Sequence, residues 1–406
     1  MASLECPRLR AGLEAVRDER DPKHIYLCDP LRLSDGPQRL TRHEFTWIQM
    51  FDGRSSLREI QSEAMRQLGG QLVPIDLFAR LTERLDAAML LDSPRFREHL
   101  ANPIREPSCL GCYEGKGEPA ALRRQLDGLF THRRGPGLPR EQRPDGQLRA
   151  ALIPHIDYYR GGVSYAWGFK EVFERTDAAL FVIIGTSHQR VSARYTLTRK
   201  DFKTPLGIAR TDQQYIDRLV GHYGDGLFDD EWAHLPEWSI ELEVVFLQYW
   251  YEKRRPIRIV PLVVGSFQDA VLEGTMPREL ADIGRMIEAL RKTEEETAEP
   301  ICYIISGDLA HIGPKFGDRD RLVEPVLKNS RERDQLILLR TEAVDPCGYF
   351  RVIAEELDKR NICGLPPTYT TLAAAQPGSG KLLSYDQYVD AAGNESVSFA
   401  SVAFYR

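Results

Sequence analysis

The chain has 406 residues, of which 42% are hydrophobic and 28% charged, and its formal net charge is −6. This composition is typical of a globular protein that is long enough for an α/β core and a smaller domain. The negative charge argues against a general nucleic-acid-binding surface, and no apolar run approaches the roughly 20 residues that cross a bilayer. Charges interrupt the first residues where a signal peptide would be apolar. We therefore expect a cytoplasmic protein with no nucleic-acid partner and no membrane partner.

The first part of the chain, residues 1–105, predicts a small domain of three short helices. Thr41 and Glu44 have the spacing of a capping box ahead of an apolar stripe, and Ser56 and Glu59 repeat it. A third helical pattern begins with Pro74 in its first turn. The strand-like stretch HIYLCDPLRL before these helices and LLDSPRF after them suggest a winged helix-turn-helix.

This domain resembles the PqqD-like modules that hold the leader peptides of ribosomal peptide products. The resemblance depends on the helical pattern and on the stretch FDGRSSLREI. Residues 1–105 contain 16 basic and 16 acidic side chains, so no phosphate-seeking field is evident and DNA binding is not expected. A protein or peptide partner and a purely structural appendage both stay open for this domain.

The stretch CLGC, Cys109–Cys112, is the only CxxC pair among the seven cysteines. A structural zinc site would need a second pair of ligands at similar spacing, and none follows. A thioredoxin-like motif would lie at a strand-to-helix turn, whereas this pair lies in a stretch rich in Pro and Gly. We therefore predict that both cysteines are unpaired and structural.

The larger domain, residues 106–406, alternates strand-like runs with helical patterns, which predicts an α/β sheet covered by helices on both faces. Four runs, LRAALI, ALFVIIG, IRIVPLVVG and ICYIIS, end in polar loops that carry, in order, His155 and Asp157, His188, Ser266, and Asp308 and His311. Loops beyond the carboxyl ends of such strands line the ligand crevice. The chain has only nine histidines, so three at equivalent strand ends predict a metal site, which a nearby carboxylate would complete.

Competing chemistries have weaker support in the sequence. No GxGxxG motif follows a strand, so a dinucleotide-binding half is not indicated. No GxSxG motif is present either, although Ser187 follows a strand, and a Ser-His hydrolase is therefore a poor alternative.

About 300 residues, 106–406, resemble the Memo family, which includes bacterial proteins labelled AmmeMemoRadiSam system protein B. The motifs that carry the resemblance follow in the family's order: PHIDYYRGGVSYAW, VIIGTSH, FKTPLGIARTD, EWSIELEVVFLQY, VPLVVGS and SGDLAHIG. The resemblance implies the fold of the class III extradiol dioxygenases, whose non-haem Fe(II) opens catechol rings. It also implies binding of iron or copper.

Within this resemblance, His155 and His188 match the two histidine ligands of the metal. The pocket histidine of the family is replaced by Trp238, and the cysteine proposed as third ligand falls at Ala310, which cannot bind a metal. The resemblance leaves the third ligand open among His311, Asp308, His234 and a water.

The expected function is metal-dependent oxidoreductase chemistry of a dioxygenase type on an unidentified small-molecule or peptide substrate. We expect Fe(II), with copper or zinc as the other options. His311 or His234 would move the proton, and Asp308 is a further catalytic candidate. Asp157, Glu237 and Trp238 are the candidate substrate-binding residues, Trp238 as an aromatic wall. Two alternatives stay open: a non-catalytic adaptor that binds a peptide or protein, and a metal-dependent hydrolase.

Overall fold

A computed structural model describes residues 5–10, 12–17, 21–30, 33–34, 36–141 and 145–406. The chain divides into two compact units, Met1–Asn102 and Pro103–Arg406. The predicted fold class, an α/β protein with a smaller N-terminal domain, is confirmed. No helix in the described ranges is both long and apolar enough to cross a membrane.

The N-terminal unit is a small antiparallel sheet with helices packed around one apolar core. Its elements are β1 (Glu14–Val16), β2 (His24–Cys28), β3 (Gln38–Thr41), α1 (Arg42–Ile48), α2 (Leu57–Gln67), α3 (Ile75–Ala87) and α4 (Pro94–Ala101). Both predicted capping boxes are present, at Thr41 with Glu44 and at Ser56 with Glu59. Pro74 lies one residue before α3 rather than inside it. Its identification as a winged-helix, PqqD-like module remains a prediction.

The larger unit is built on a mixed sheet that helices cover on both faces. Its strands are β4 (Ile104–Arg105), β5 (Leu148–Ile153), β6 (Leu180–Thr186), β7 (Tyr195–Leu197), β8 (Asp201–Thr204), β9 (Gly207–Thr211), β10 (Arg258–Val264), β11 (Ile301–Ser306), β12 (His311–Ile312), β13 (Ser379–Val389) and β14 (Ser396–Tyr405). The main path through the sheet runs β12-β14-β5-β11-β6-β10-β9-β8-β4. The helices are α5 (Pro119–Thr131), α6 (Tyr158–Arg175), α7 (Gln213–Tyr223), α8 (Ser239–Tyr251), α9 (Gln268–Glu273), α10 (Ala281–Glu295), α11 (Glu324–Glu342), α12 (Pro346–Ala354) and α13 (Leu365–Ala375).

Four neighbouring strands at the centre of this sheet, β5, β11, β6 and β10, run parallel. Every residue of β6 and β11 is buried, as expected for strands that pack helices on both faces. Because parallel strands end at the same edge, the loops that follow the four strands begin side by side. The sheet therefore brings the predicted polar loops to one edge.

Helix α8 is buried on almost all sides, and two of its carboxyl groups lie inside the protein. Glu241 forms an ion pair with Arg105, and neither side chain is exposed. The Glu241 carboxylate also accepts hydrogen bonds from the backbone N–H of Ser108, at 2.7 Å, and from the Tyr113 hydroxyl, at 2.9 Å. This carboxylate therefore anchors the segment that follows β4 to the centre of the larger unit.

The same segment contains a disulfide bond between Cys109 and Cys112. A short 3₁₀ turn, Leu110–Cys112, brings the two residues together, and the Cys112 N–H donates to the Cys109 carbonyl oxygen at 2.9 Å. The prediction that these cysteines are unpaired was therefore wrong. The five other cysteines, all within the described ranges, are free.

The two buried carboxyl groups of α8 should differ in how much stability is lost when each is changed to an amide. Burial raises the pKa of Glu243 well above its ordinary value, and the nearby Ser306 hydroxyl offsets this effect only in part. Glu243→Gln then replaces one neutral group with another and should cost less than about 1.5 kcal/mol. Glu241→Gln leaves the buried Arg105 charge uncompensated and should cost about 3–5 kcal/mol. Urea unfolding at pH 7 measures both.

The pH dependence of the same variants provides the control. A carboxyl group whose folded pKa is raised binds its proton more tightly in the folded state, so its contribution to stability falls as pH rises above about 4.5, the ordinary pKa of Glu. The stability of Glu243→Gln relative to the wild type should therefore increase with pH. A difference that stays constant from pH 4 to pH 8 would contradict a neutral Glu243.

Candidate metal centre

Three side chains from distant parts of the chain converge beyond the carboxyl ends of β5 and β11. The possible ligand atoms of His155, Asp308 and Cys363 all lie within 4.8 Å of one another. His155 Nε2 is 3.1 Å from Cys363 Sγ and 3.7 Å from Asp308 Oδ2. His155 and Asp308 are each 2% exposed. The structure thus joins two predicted site residues to one that the sequence analysis missed.

The hydrogen bonds around His155 orient its ring toward this cluster. The Ser306 hydroxyl donates to the Ser239 carbonyl oxygen at 2.7 Å, so its oxygen can accept from His155 Nδ1, 3.5 Å away. His155 Nε2 then carries the lone pair that faces Cys363. Burial, together with the neighbouring His188, lowers the pKa of His155 to about 3. The imidazole is therefore neutral near pH 7, which is the form that binds metals.

Two glycines explain how Cys363 reaches Asp308. A Cβ atom on Gly307 would lie 2.6 Å from the Cα atom of Gly364, so only glycines allow the two backbones to approach this closely. The Gly364 N–H donates to the Asp308 carbonyl oxygen at 2.9 Å. The Asp308 side chain in turn accepts from the His155 N–H at 3.0 Å. The loop after β11 and the start of α13 are therefore locked together at the cluster.

Burial also sets the protonation of these two groups. It raises the pKa of Asp308 above its ordinary value, and it raises the pKa of the Cys363 thiol well above its ordinary value. Without a metal, Cys363 is therefore a thiol near pH 7 whose S–H can donate to His155. A metal that binds here has to displace that proton.

His188 lies beside this cluster and is held by Glu237. Its Nδ1 is 3.0 and 3.1 Å from the two carboxylate oxygens, and its backbone N–H donates to the same group at 2.9 Å. The ring stacks on Trp238 with centroids 4.3 Å apart, and it meets the His155 ring edge-on at 5.0 Å. A histidine that donates Nδ1–H to a carboxylate can bind a metal through Nε2, an arrangement common in metal sites.

Glu237 is ionised in this arrangement. Burial alone would raise its pKa, but His188 and the backbone N–H groups of His188 and Ser239 outweigh burial and lower the pKa to about 2. Close packing positions the group, since a Cβ atom on Gly185 in β6 would lie 2.6 Å from Ser239 Oγ at the start of α8. Glu237, predicted as a substrate-binding residue, is therefore engaged with His188 in the structure.

His311 follows Asp308 by three residues and lies at the start of the short strand β12. Its Nδ1 is 3.2 Å from both the Leu309 and the Asn361 carbonyl oxygens, so it donates there, and Nε2 is left as the acceptor nitrogen. The ring meets Phe316 edge-on at 5.1 Å. Burial lowers the pKa of His311 although the Asp308 charge opposes this effect. His311 is therefore a neutral imidazole near the cluster and outside the group of three.

Two other predicted residues are engaged elsewhere. The buried His234 places Nε2 2.9 Å from the Thr196 carbonyl oxygen, and burial lowers its pKa to about 4. Asp157 caps the first turn of α6 and forms an ion pair with Arg160 at 2.6 Å. The structure assigns both residues to hydrogen bonds that hold local backbone and side chains in place.

A cavity of about 250 Å³ opens next to Cys363. Its polar lining includes Ser187 after β6, Ser266 and Gln268 after β10, and Asp358 and Asn361 before Cys363. Burial raises the pKa of Asp358 to about 6. Leu357, Asp358 and Asn361 have positive φ values of 54°, 49° and 51°, which non-glycine residues seldom adopt. Such strain is often found at functional sites.

The parallel sheet with ligand side chains at its carboxyl edge defines an α/β protein with a candidate metal centre. The profile of the Memo family, described as Memo-like protein, matches residues 105–403. This chain belongs to the Memo family.

Relatives share this part of the chain or nearly all of it. MEMO1 family protein MK0963 of Methanopyrus kandleri is 28% identical over 309 residues, 74% of this chain and 99% of that protein. A MEMO1 family protein of Aquifex aeolicus is 24% identical over 388 residues, 93% of this chain and 95% of that protein. The crystal structure of uncharacterized protein JW3007 from Escherichia coli K12 is similar with a TM-score of 0.37 and 14% identity, and it covers 64% of this chain and 100% of its own.

Removing the charge of Glu237 should weaken metal binding through His188. Glu237→Gln cannot hold the His188 ring with a carboxylate, and loss of such a partner typically costs 10–100-fold in metal affinity. Glu231→Gln is the matched control, because Glu231 accepts from the Thr198 hydroxyl at 2.6 Å instead. Competition with a chelating dye measures both affinities. Equal affinities in the two variants would show that His188 has no part in the centre.

Proposed function

We propose that the protein is a metal-dependent oxidoreductase of the non-haem iron type, with dioxygenase-like chemistry. The observation that carries the proposal is the cluster of His155, Asp308 and Cys363, with the Glu237-held His188 against it. Two histidines and one carboxylate are the ligand set that suits Fe(II) and leaves positions open for other molecules.

The chemistry of the donors fits a transition metal. A buried neutral imidazole, a carboxylate and a thiol within 4.8 Å offer nitrogen, oxygen and sulfur to one ion. Imidazole suits iron, copper and zinc, whereas thiolate favours the softer of these ions, so copper and zinc are the alternatives to iron. A bound Fe(II) would supply the place where O₂ and an organic substrate meet. In a dioxygenase reaction both oxygen atoms enter the substrate, so no external reductant is needed.

The chain itself supplies proton transfer and binding. His311 is neutral, with Nδ1–H directed at two carbonyl oxygens, so its Nε2 can accept a proton from a substrate hydroxyl and return it later. The cavity beside Cys363 would hold the substrate. Among the residues that the structure describes, its polar lining consists of hydroxyls, amides, the Cys363 thiol and one carboxyl group, with no Lys, Arg or His, which favours a substrate with neutral hydrogen-bonding groups over an anion.

The metal content of variants tests the ligand set. Protein purified without oxygen or chelator should carry close to one iron per chain. His155→Ala and Cys363→Ser should each lose most of the iron, because only two of the three clustered ligands remain in either variant. His188→Ala should also lose a large part of the iron. Elemental analysis by mass spectrometry measures the metal.

The control variant is Cys347→Ser, which removes another free and partly buried cysteine. It should keep the wild-type metal content. Unchanged iron in both His155→Ala and Cys363→Ser would overturn the assignment of the centre.

If His311 carries a proton, a variant at this position should lose turnover and keep its iron. His311→Gln keeps a polar side chain but cannot carry a proton near neutral pH. General acid–base residues contribute about 10²–10⁴-fold in rate, so turnover should fall by that factor while iron stays near one per chain. Oxygen uptake with a panel of catechols measures turnover.

If the iron content of His311→Gln falls together with its turnover, His311 is a metal ligand and not a proton carrier. If no substrate in a broad panel stimulates oxygen uptake by iron-loaded protein, the dioxygenase proposal fails and the adaptor alternative gains.

A metal-dependent hydrolase is the second candidate, because the cluster offers three protein ligands. Catalytic zinc usually has three such ligands and a water whose pKa the ion lowers to about 7. Zinc-loaded protein that cleaves p-nitrophenyl esters, together with iron-loaded protein that consumes no oxygen, would favour this candidate.

A further inference from the structure

The Cys109–Cys112 disulfide has no part in the proposed metal chemistry, and it is not enclosed in the core. Both residues are only partly buried. The bond closes a ring of only four residues, and the stabilisation that a disulfide gives by restricting the unfolded chain is least for short loops. Stabilisation of the fold therefore explains this bond poorly.

Hydrogen bonds connect this turn to the backbone of Glu237, whose side chain holds the candidate ligand His188. The Cys109 N–H donates to Glu241 at 3.4 Å, next to the stronger bond from Ser108. Arg105 binds the Glu241 carboxylate and also donates to the Glu237 carbonyl oxygen. The Glu237 carboxylate holds His188. The buried groups Glu241, Arg105 and Glu237 therefore link the turn to the candidate ligand His188.

We propose that Cys109 and Cys112 form a thiol–disulfide exchange site that accepts two electrons from a dithiol, and that its oxidation state alters metal binding at His188. A thiolate of the reductant attacks one sulfur and forms a mixed disulfide, and the other cysteine leaves as a thiol. The second thiol of the reductant then displaces the remaining cysteine. The products are two protein thiols and the oxidised reductant. The link to metal binding rests on the proposed metal centre, whereas the exchange reaction does not.

Reduction of the disulfide should weaken the hydrogen bonds between the Leu110–Cys112 turn and Glu241. Without the S–S bond the Leu110–Cys112 turn can open, and the Cys109 and Ser108 N–H groups lose their fixed directions toward Glu241. Arg105 is shared between Glu241 and the Glu237 carbonyl oxygen, so a change at one partner shifts the other. His188 is then held less firmly, and we expect iron affinity to fall about 3–10-fold, less than the 10–100-fold loss on removing a direct partner of a ligand.

The first experiment counts thiols in the full-length protein. After denaturation under anaerobic conditions, maleimide labelling followed by mass spectrometry should find five thiols in untreated protein and seven after the folded protein has been treated with dithiothreitol. The double variant Cys109→Ser/Cys112→Ser should give five in both cases. Seven thiols without treatment, or five after it, would overturn the exchange site.

The second experiment measures the link to the metal centre. Fe(II) affinity is compared between the oxidised protein and protein reduced with dithiothreitol and then desalted. The double serine variant, which has no thiols at this site to bind metal, should match the reduced form. Cys347→Ser should shift with reduction as the wild type does. Equal affinity in both states would overturn the link.

Hydrogen exchange of the backbone at residues 237–241 gives a measurement that needs no metal. We expect faster exchange there after reduction and in the double serine variant. If neither oxidation state binds iron, the proposed metal centre fails on its own, while the thiol count and the exchange rates still decide whether the site is reducible and reaches Glu237. Unchanged exchange rates would overturn the connection to Glu237.

Discussion

The parallel pairing of β5, β11 and β6 is the constraint on which the candidate centre depends. Because these strands share one direction, the chain leaves the sheet three times at the same edge. His155 follows the first strand by two residues, Asp308 follows the second by two, and His188 follows the third by two. Each group comes from a different loop, and hydrogen bonds between the loops hold them, as between the His155 N–H and Asp308 and between His188 and Glu237.

Buried carboxyl groups that lie close together in the larger unit differ in their charge. Glu237 is ionised because His188 and two backbone N–H groups surround it, and Glu241 is balanced by Arg105. For Glu243, two residues further along α8, burial outweighs the nearby Ser306 hydroxyl and raises the pKa well above its ordinary value. The Ser306 hydroxyl next to Glu243 donates to the Ser239 carbonyl oxygen instead. Hydrogen-bond donors, more than depth, therefore decide which of these groups carries charge.

Local signals in the sequence were sufficient for several features. The strand ends with their polar loops, the capping boxes at Thr41 and Ser56 and the family all follow from patterns within a few residues of each other. The role of Cys363 could not be predicted this way. It meets His155 across 208 positions, through a contact between two glycines that has no local pattern. The disulfide was missed because the spacing of CLGC allows a paired or an unpaired state, and only the 3₁₀ turn selects between them.

The wide separation of the cluster's residues along the chain has a thermodynamic consequence. His155 and Asp308 are 153 positions apart, and Cys363 is farther still from His155, so the unfolded chain does not hold these three donors together. An ion that binds these residues binds the native state alone. Free metal at a hundredfold excess over its dissociation constant would then add about 2.7 kcal/mol to the free energy of unfolding. The supply of metal in the surroundings would thus change the stability of the native state.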